Sequence, residues 1–215
     1  MTHSLHREGT VDSLERDYCM FIYPARGWNT EGVAPKIQHL LELVFLEDPS
    51  NLLVKTLHKN KYSGVTQKEM IDSVRDNSRA FCVFNRRESL VNTLRAIKKA
   101  DKGISIVVSG LIDRVREICD ELELDPHTLN LSLGVHGRTD LLPPPDIRQY
   151  TTMCGHGMVS PALIRRAIRQ VKTGRINAWQ MSIELAKPCA CGIYNPHRSE
   201  ELLKEMAPLY TVNRW

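Results

Sequence analysis

The strongest constraint on the fold is an alternation of two patterns along the first two thirds of the chain. Short apolar runs of strand length stand at Tyr18–Tyr23, 52–54, Ala80–Phe84, 104–108 and 129–135. Between them lie segments whose apolar residues repeat at helical spacing. Parallel strands need crossover connections, and helices commonly supply them. The alternation therefore predicts an α/β fold, with a mainly parallel sheet flanked by helices.

A run of three prolines, Pro143, Pro144 and Pro145, interrupts this pattern. We therefore expect residues 1–142 to form an α/β core domain, and residues 143–215 a mostly helical segment packed on it. Ser160 followed by Pro161 is a typical helix start, because the hydroxyl caps the helix and proline suits its first position. Further helices are predicted from about residue 177 and from about residue 196.

Composition narrows the class of protein. The chain has 215 residues, 42% of them hydrophobic and 25% charged, as in an ordinary globular protein. A formal charge of +4 is too small to predict nucleic-acid binding. The densest basic stretch is interpreted as a solvated helix face, with an acidic partner as the alternative; it comprises Arg165, Arg166, Arg169, Lys172 and Arg175. No membrane-length apolar run or signal peptide is visible, so a cytoplasmic protein without membrane association is expected.

The residues most suggestive of chemistry begin with Met153-Cys154-Gly155-His156-Gly157. Gly155 and Gly157 allow tight turns and leave backbone amides free to bind an anion or cofactor. Cys154 lies shortly before the helix expected at Ser160, where the helix dipole favours a thiolate, and His156 would favour it further. The alternative is a plain turn, in which Cys154 packs and His156 bonds a carbonyl.

A second cysteine motif, Pro188-Cys189-Ala190-Cys191-Gly192, falls in a predicted break between helices. Reduced, clustered cysteines suggest metal binding or catalysis. Cys154, Cys189, Cys191 and His156 together make a plausible four-ligand set for an iron–sulfur cluster or zinc. The remaining cysteines, Cys19, Cys82 and Cys119, lie in apolar patterns and are expected in the core.

Loops after predicted strands offer a third group of candidates. Ser109 and Gly110 follow one strand, while Gly134, His136, Gly137 and Arg138 follow another. Ligands of open parallel sheets bind beyond the carboxyl ends of the strands. Arg138 is suited to an anionic group and His136 to acid–base catalysis, although an ordinary surface turn is equally consistent with these residues. His3 and His6 could fold over the site or fray.

The string MCGHG at residues 153–157 resembles the segment around one catalytic cysteine of the proline racemase family. The resemblance implies that Cys154 acts as one acid–base cysteine, with Cys189 or Cys191 as the second. It covers five residues. That family is longer, is built from two similar halves, and separates its cysteines much more widely.

Three functional hypotheses follow. The first is a metal-dependent enzyme, an oxidoreductase or lyase, acting on a small anionic substrate at the centre formed by Cys154, His156, Cys189 and Cys191. The second is a metal-free cysteine enzyme that uses acid–base or nucleophilic chemistry. The third is a non-catalytic module with a structural zinc. A homo-oligomer is compatible with all three.

Overall fold

A computed structural model describes residues 2–211, and their side chains from residue 4 onward. Within this part the chain forms one five-stranded sheet in the order β3-β2-β4-β1-β5. Every neighbouring pair of strands is antiparallel. The strands are β1 Tyr18–Tyr23, β2 Asn51–Val54, β3 Lys59–Asn60, β4 Ala80–Phe84 and β5 Ser105–Ser109.

The predicted mainly parallel sheet is therefore wrong, and the strand order shows why. β1 and β2 run in the same direction, as a helical crossover requires, but β4 lies between them. β4 and β5 are likewise joined by a helix and separated by β1. Each crossover skips one position, and an antiparallel strand fills the gap, which is the split βαβ arrangement of ferredoxin-like sheets. Alternation of strands and helices predicts crossovers but not which strand fills the gap.

Nine α-helices are assigned in the described part of the chain. They are α1 Val11–Leu14, α2 Ala34–Leu46, α3 Gln67–Asp72, α4 Arg87–Ala100, α5 Ile112–Glu121, α6 Pro145–Cys154, α7 Pro161–Lys172, α8 Ala178–Ala186 and α9 Pro196–Leu209. Short 3-10 helices cover Thr2–His6 and Thr139–Leu141. None of the described helices is long and apolar enough to cross a membrane.

The predicted strand at 129–135 is absent from the described structure. This segment is irregular, and its alternating apolar side chains are exposed to solvent; they are Leu129, Leu131, Leu133 and Val135. Two of its hydrogen bonds close within the segment's own loop, from Gly134 N to Ser132 Oγ and between His136 Nε2 and Leu133 O. Alternation predicts a strand only where a neighbouring strand supplies hydrogen-bond partners.

The sheet is buried on both faces. α2, α3, α4 and α5 contribute to the apolar cluster on one face. The C-terminal helices α6 to α9 build the other cluster, against Cys19, Phe21 and Val83 of the sheet. The helical segment after the proline run thus covers the sheet face opposite the two crossover helices, and this face also carries the cysteine motifs.

The start of α7 provides a test of local structure. Ser160 Oγ accepts a hydrogen bond from Leu163 N at 3.2 Å, as the sequence predicts. We expect Ser160→Ala to lower the free energy of unfolding by about 1 kcal/mol, because the cap is lost, and Ser160→Asp to retain most of it. Urea denaturation measures both values. Equal losses in the two variants would contradict a capping role.

Candidate functional site

Four potential metal-binding side chains lie together at the C-terminal end of α6: Cys154, His156, Cys189 and Cys191. Cys189 Sγ is 3.7 Å from Cys191 Sγ, and Cys191 Sγ is 3.5 Å from His156 Nδ1. The Cys154 and Cys189 thiols are hydrogen-bonded to each other. The contacts therefore run in one series from Cys154 through Cys189 and Cys191 to His156. We call these four residues the sulfur site.

Backbone amides point at all three sulfurs of this site. The amides of His156 and Met158 donate to Cys154 Sγ. The amide of Cys191 donates to Cys189 Sγ, and the amide of Ile193 donates to Cys191 Sγ. A neutral thiol is a weak acceptor, whereas hydrogen bonds to a charged acceptor are about twice as strong as neutral ones. The backbone is thus arranged to stabilise thiolates.

Cys154 occupies a different place on its helix from the one that the sequence predicts. It is the last residue of α6, and Gly155 ends that helix with φ of 68°. At a helix C-terminus the dipole disfavours negative charge, so the predicted activation by a helix N-terminus does not apply to α6. The hydrogen bond with Cys189, followed by burial, raises the pKa of Cys154 well above its usual value.

The other two cysteines have different environments. The hydrogen bond from Cys189 lowers the pKa of Cys191, and this effect outweighs the burial that opposes it. The pKa of Cys189 is raised on balance: the hydrogen bond with Cys154 lowers it, while the hydrogen bond with Cys191 and burial raise it. Of these two cysteines, Cys191 is therefore the one that ionises to a thiolate more readily.

Burial divides the site into two parts. Cys154, Cys189 and Cys191 are at most 2% exposed, whereas His156 is exposed. His156 stands on a turn between Gly155 and Gly157, both of which have positive φ. The sulfurs are therefore fixed inside the protein, and the imidazole forms their boundary with solvent.

The loop that carries Cys189 and Cys191 is held against the sheet by hydrogen bonds and by close packing. Asn60 of β3 donates to the carbonyl oxygens of Ala186 at 3.1 Å and of Lys187 at 3.2 Å. Gly192 packs directly on β2, because a Cβ there would stand 2.5 Å from Leu53 Cβ and 2.7 Å from Leu53 N. The loop can approach the sheet this closely only with glycine at this position.

Arg7 also takes part in this site, although no motif in the sequence predicts it. Arg7 donates to the carbonyl oxygens of Met153, at 3.1 Å, and of Ile193. These carbonyls directly precede Cys154 and follow Cys191 by two residues. Arg7 also forms a buried ion pair with Asp17. One side chain from the N-terminal segment therefore joins the two cysteine-bearing loops.

Asp17 pairs with a second buried arginine, Arg198 of α9, at 2.7 Å. Burial alone would raise the pKa of Asp17, but the charges of Arg7 and Arg198 outweigh it and lower that pKa. Asn195 Nδ2 donates to Asp17 Oδ1 at 3.1 Å. An acidic residue directly before the apolar β1 was the one sequence signal for this network, since a buried charge requires a partner.

The other predicted site residues are placed elsewhere. His136 and Arg138 are exposed; His136 bonds Leu133 O within its loop, and Arg138 pairs with Asp140. Gly134 and Gly137 shape the same loop through positive φ. Ser109 ends β5 and donates to Ser4 O, and Gly110 packs against Tyr18. His6 bonds Ser132, while the side chain of His3 lies outside the described residues.

Two of the three cysteines expected in the core are fully buried there. Cys19 and Cys82 are buried, and burial raises the pKa of Cys19 to about 12. Cys119 is only half-buried. Cys19 faces the same apolar cluster as the sulfur site.

Among the side chains that the structure describes, no three or more histidine, cysteine or acidic groups form a ready-made metal-binding set. In the sulfur site each donor atom contacts the next one along a line from Cys154 to His156, and the four donors do not surround a single point. No protein-family model, curated protein or solved structure matches the chain.

Gly192 gives a test of how the site is held. Gly192→Ala should lower the free energy of unfolding by about 3 kcal/mol, because left-handed strain costs about 1–2 kcal/mol and the overlap with Leu53 adds to it. Gly157→Ala is the matched control, since its φ is also positive but no atom lies within 4 Å of the added Cβ. It should lose only about 1 kcal/mol. Equal losses in urea denaturation would show that Gly192 does not need close packing on β2.

Proposed function

We propose that this chain is a zinc-binding protein, in which Cys154, Cys189, Cys191 and His156 bind one metal ion. The observation that carries the proposal is the spacing of the donor atoms. Tetrahedral zinc with bonds of about 2.3 Å to sulfur and 2.0–2.1 Å to nitrogen places two sulfurs about 3.8 Å apart, and sulfur and nitrogen about 3.5 Å apart. The distances here are 3.7 Å between Cys189 and Cys191 and 3.5 Å between Cys191 and His156.

The surroundings of the donors support the same proposal. Metal-ligating groups are usually oriented by further hydrogen bonds, which fix them and tune their charge. Four backbone amides donate to the three sulfurs here; three come from the residue two positions after a cysteine, and the fourth, that of Met158, comes from four positions after Cys154. To bind one ion, the four donors would have to close from this series of contacts into a tetrahedron.

The spacing also favours one metal ion over a cubane iron–sulfur cluster. In a cubane each cysteine binds a different iron, so the ligand sulfurs stand further apart than the edge of one tetrahedron. Cys189 and Cys191 are too close for that arrangement. An iron–sulfur cluster, which the sequence favours slightly over zinc, is therefore the less favoured cofactor.

The exposed His156 is the position at which this centre would exchange ligands. Three buried thiolates would be held by the fold, whereas the imidazole lies on a glycine-flanked turn at the surface. Zinc supplies Lewis acidity to a ligand at an open position. A small anionic substrate would bind where His156 lies, and the protein would act as an enzyme. If His156 does not exchange, the role of the centre is structural.

A metal-free cysteine enzyme is the second candidate, supported by one contact. Cys191 lies 3.5 Å from His156 Nδ1, and its pKa is lowered by Cys189, as suits a thiolate–imidazole pair. Burial opposes this candidate, since Cys191 is only 2% exposed and a substrate would have to reach it. The metal-binding proposal uses the same contact without requiring access.

The decisive measurement is metal content of protein purified without added chelator, alongside single cysteine variants. We expect about one zinc per chain, and its loss in Cys154→Ser, Cys189→Ser and Cys191→Ser. Cys82→Ser is the matched control, because Cys82 is buried but lies in the other apolar cluster, and it should retain zinc. Replacement of zinc by cobalt should give the intense visible bands of a tetrahedral thiolate site.

Other outcomes separate the competing functions. Stoichiometric iron with acid-labile sulfide would show that the site binds an iron–sulfur cluster and not zinc. Protein with no metal, in which Cys191 alone reacts rapidly with iodoacetamide near pH 7, would favour the cysteine enzyme. Zinc that is retained in His156→Ala, with unchanged cobalt bands, would contradict histidine ligation.

A further inference from the structure

A surplus of buried positive charge lies beside the sulfur site. The side chains of Asp17 and Arg198 are fully buried, and that of Arg7 is 6% exposed. Two guanidinium groups therefore share one carboxylate, which leaves one positive charge in excess. A buried charge without a counter-charge costs several kcal/mol, so this surplus needs a negative partner nearby.

The hydrogen bonds of Arg7 indicate where that partner lies. Its guanidinium reaches both cysteine-bearing loops, through Met153 O and Ile193 O. Its buried Nε has no hydrogen-bond acceptor in the described structure. Cys19 and Cys189 both lie close enough to act on the charge of Arg7. The excess charge is thus directed toward the sulfurs rather than toward another carboxylate.

The charge of the proposed centre matches this surplus. Zinc bound by three thiolates and a neutral imidazole carries one net negative charge. We propose that Arg7, Asp17 and Arg198 form the buried counter-charge of the metal centre, with Arg7 and Arg198 as positioning residues that set its metal affinity. This inference rests on the proposed zinc site and adds the electrostatic partner that the site requires.

Substitutions of Arg198 can distinguish an effect of the buried charge from an effect of lost contacts with the cysteine-bearing loops. It donates to Ser13 Oγ, Asp17 and Glu8 O, and none of these groups belongs to the cysteine-bearing loops. Arg198→Gln removes the surplus charge while leaving the bonds from Arg7 to Met153 O and Ile193 O. Combining it with Asp17→Asn restores one excess positive charge, because Arg7 is then unopposed.

The experiment measures zinc affinity of the full chain by competition with a chromophoric chelator. Arg198→Gln should weaken binding about tenfold, within the range found for changes around metal ligands. Arg198→Lys and the double variant Asp17→Asn/Arg198→Gln should bind within about threefold of the unaltered protein. Arg7→Gln should weaken zinc binding the most, because it removes both the charge and the hydrogen bonds to the two cysteine-bearing loops. Arg148→Gln is the control, since it removes a half-buried arginine that pairs with Glu8 in the same region and does not contact Asp17.

Circular dichroism of each zinc-free variant reports whether it folds, and the Arg198→Lys comparison remains decisive if a glutamine variant does not. A double variant that binds as weakly as Arg198→Gln, or an Arg198→Gln protein with unchanged affinity, would overturn the inference. Unaltered protein that binds no zinc would instead refute the proposed function. The two failures are therefore distinguishable.

Discussion

The carboxylate of Asp17 is the interaction on which the rest of this structure depends. It lies at the start of β1 and binds Arg7 from the N-terminal segment and Arg198 from α9. Three distant parts of the chain meet at this one side chain. Removing one partner of a buried ion pair is strongly destabilising, because the other charge is left without compensation. These ion pairs therefore help to fix the relative positions of β1, α9 and the N-terminal segment.

The split βαβ sheet explains why a C-terminal helical segment is needed. Both crossover helices, α2 and α4, pack on the same face of the sheet, so the other face would be left apolar and exposed. α6 to α9 cover that face and bury Phe21 and Val83. Their connecting loops bring the cysteine motifs against β2 and β3, where Asn60 and Gly192 hold them. The candidate site is thus a product of covering the sheet.

The sequence predicts local features well where one residue type dictates one conformation. The cap at Ser160 and the strands around Tyr18 and Ala80 follow from nearby residues. Strand order does not, since it depends on which strand enters the gap between two others. The partners of Asp17 lie about ten residues away in Arg7 and more than 180 residues away in Arg198, and no local pattern encodes such pairs.

The sulfur site combines rigid and adaptable parts, and this combination limits where chemistry can occur. Backbone amides and the sheet fix Cys189 and Cys191, and removing their hydrogen bonds would require the loop to leave β2. His156 stands between Gly155 and Gly157, which tolerate many conformations, so the turn that carries it can adjust more readily than the Cys189–Cys191 loop. A ligand that competed for the proposed zinc would therefore displace the imidazole before any sulfur. The buried arginines would favour a centre whose total charge stays at one negative unit, so a neutral imidazole could be exchanged for a neutral ligand without electrostatic cost. The small anionic substrate proposed for this position would add a second negative charge that Arg7 and Arg198 do not balance, so it would have to bind together with a proton.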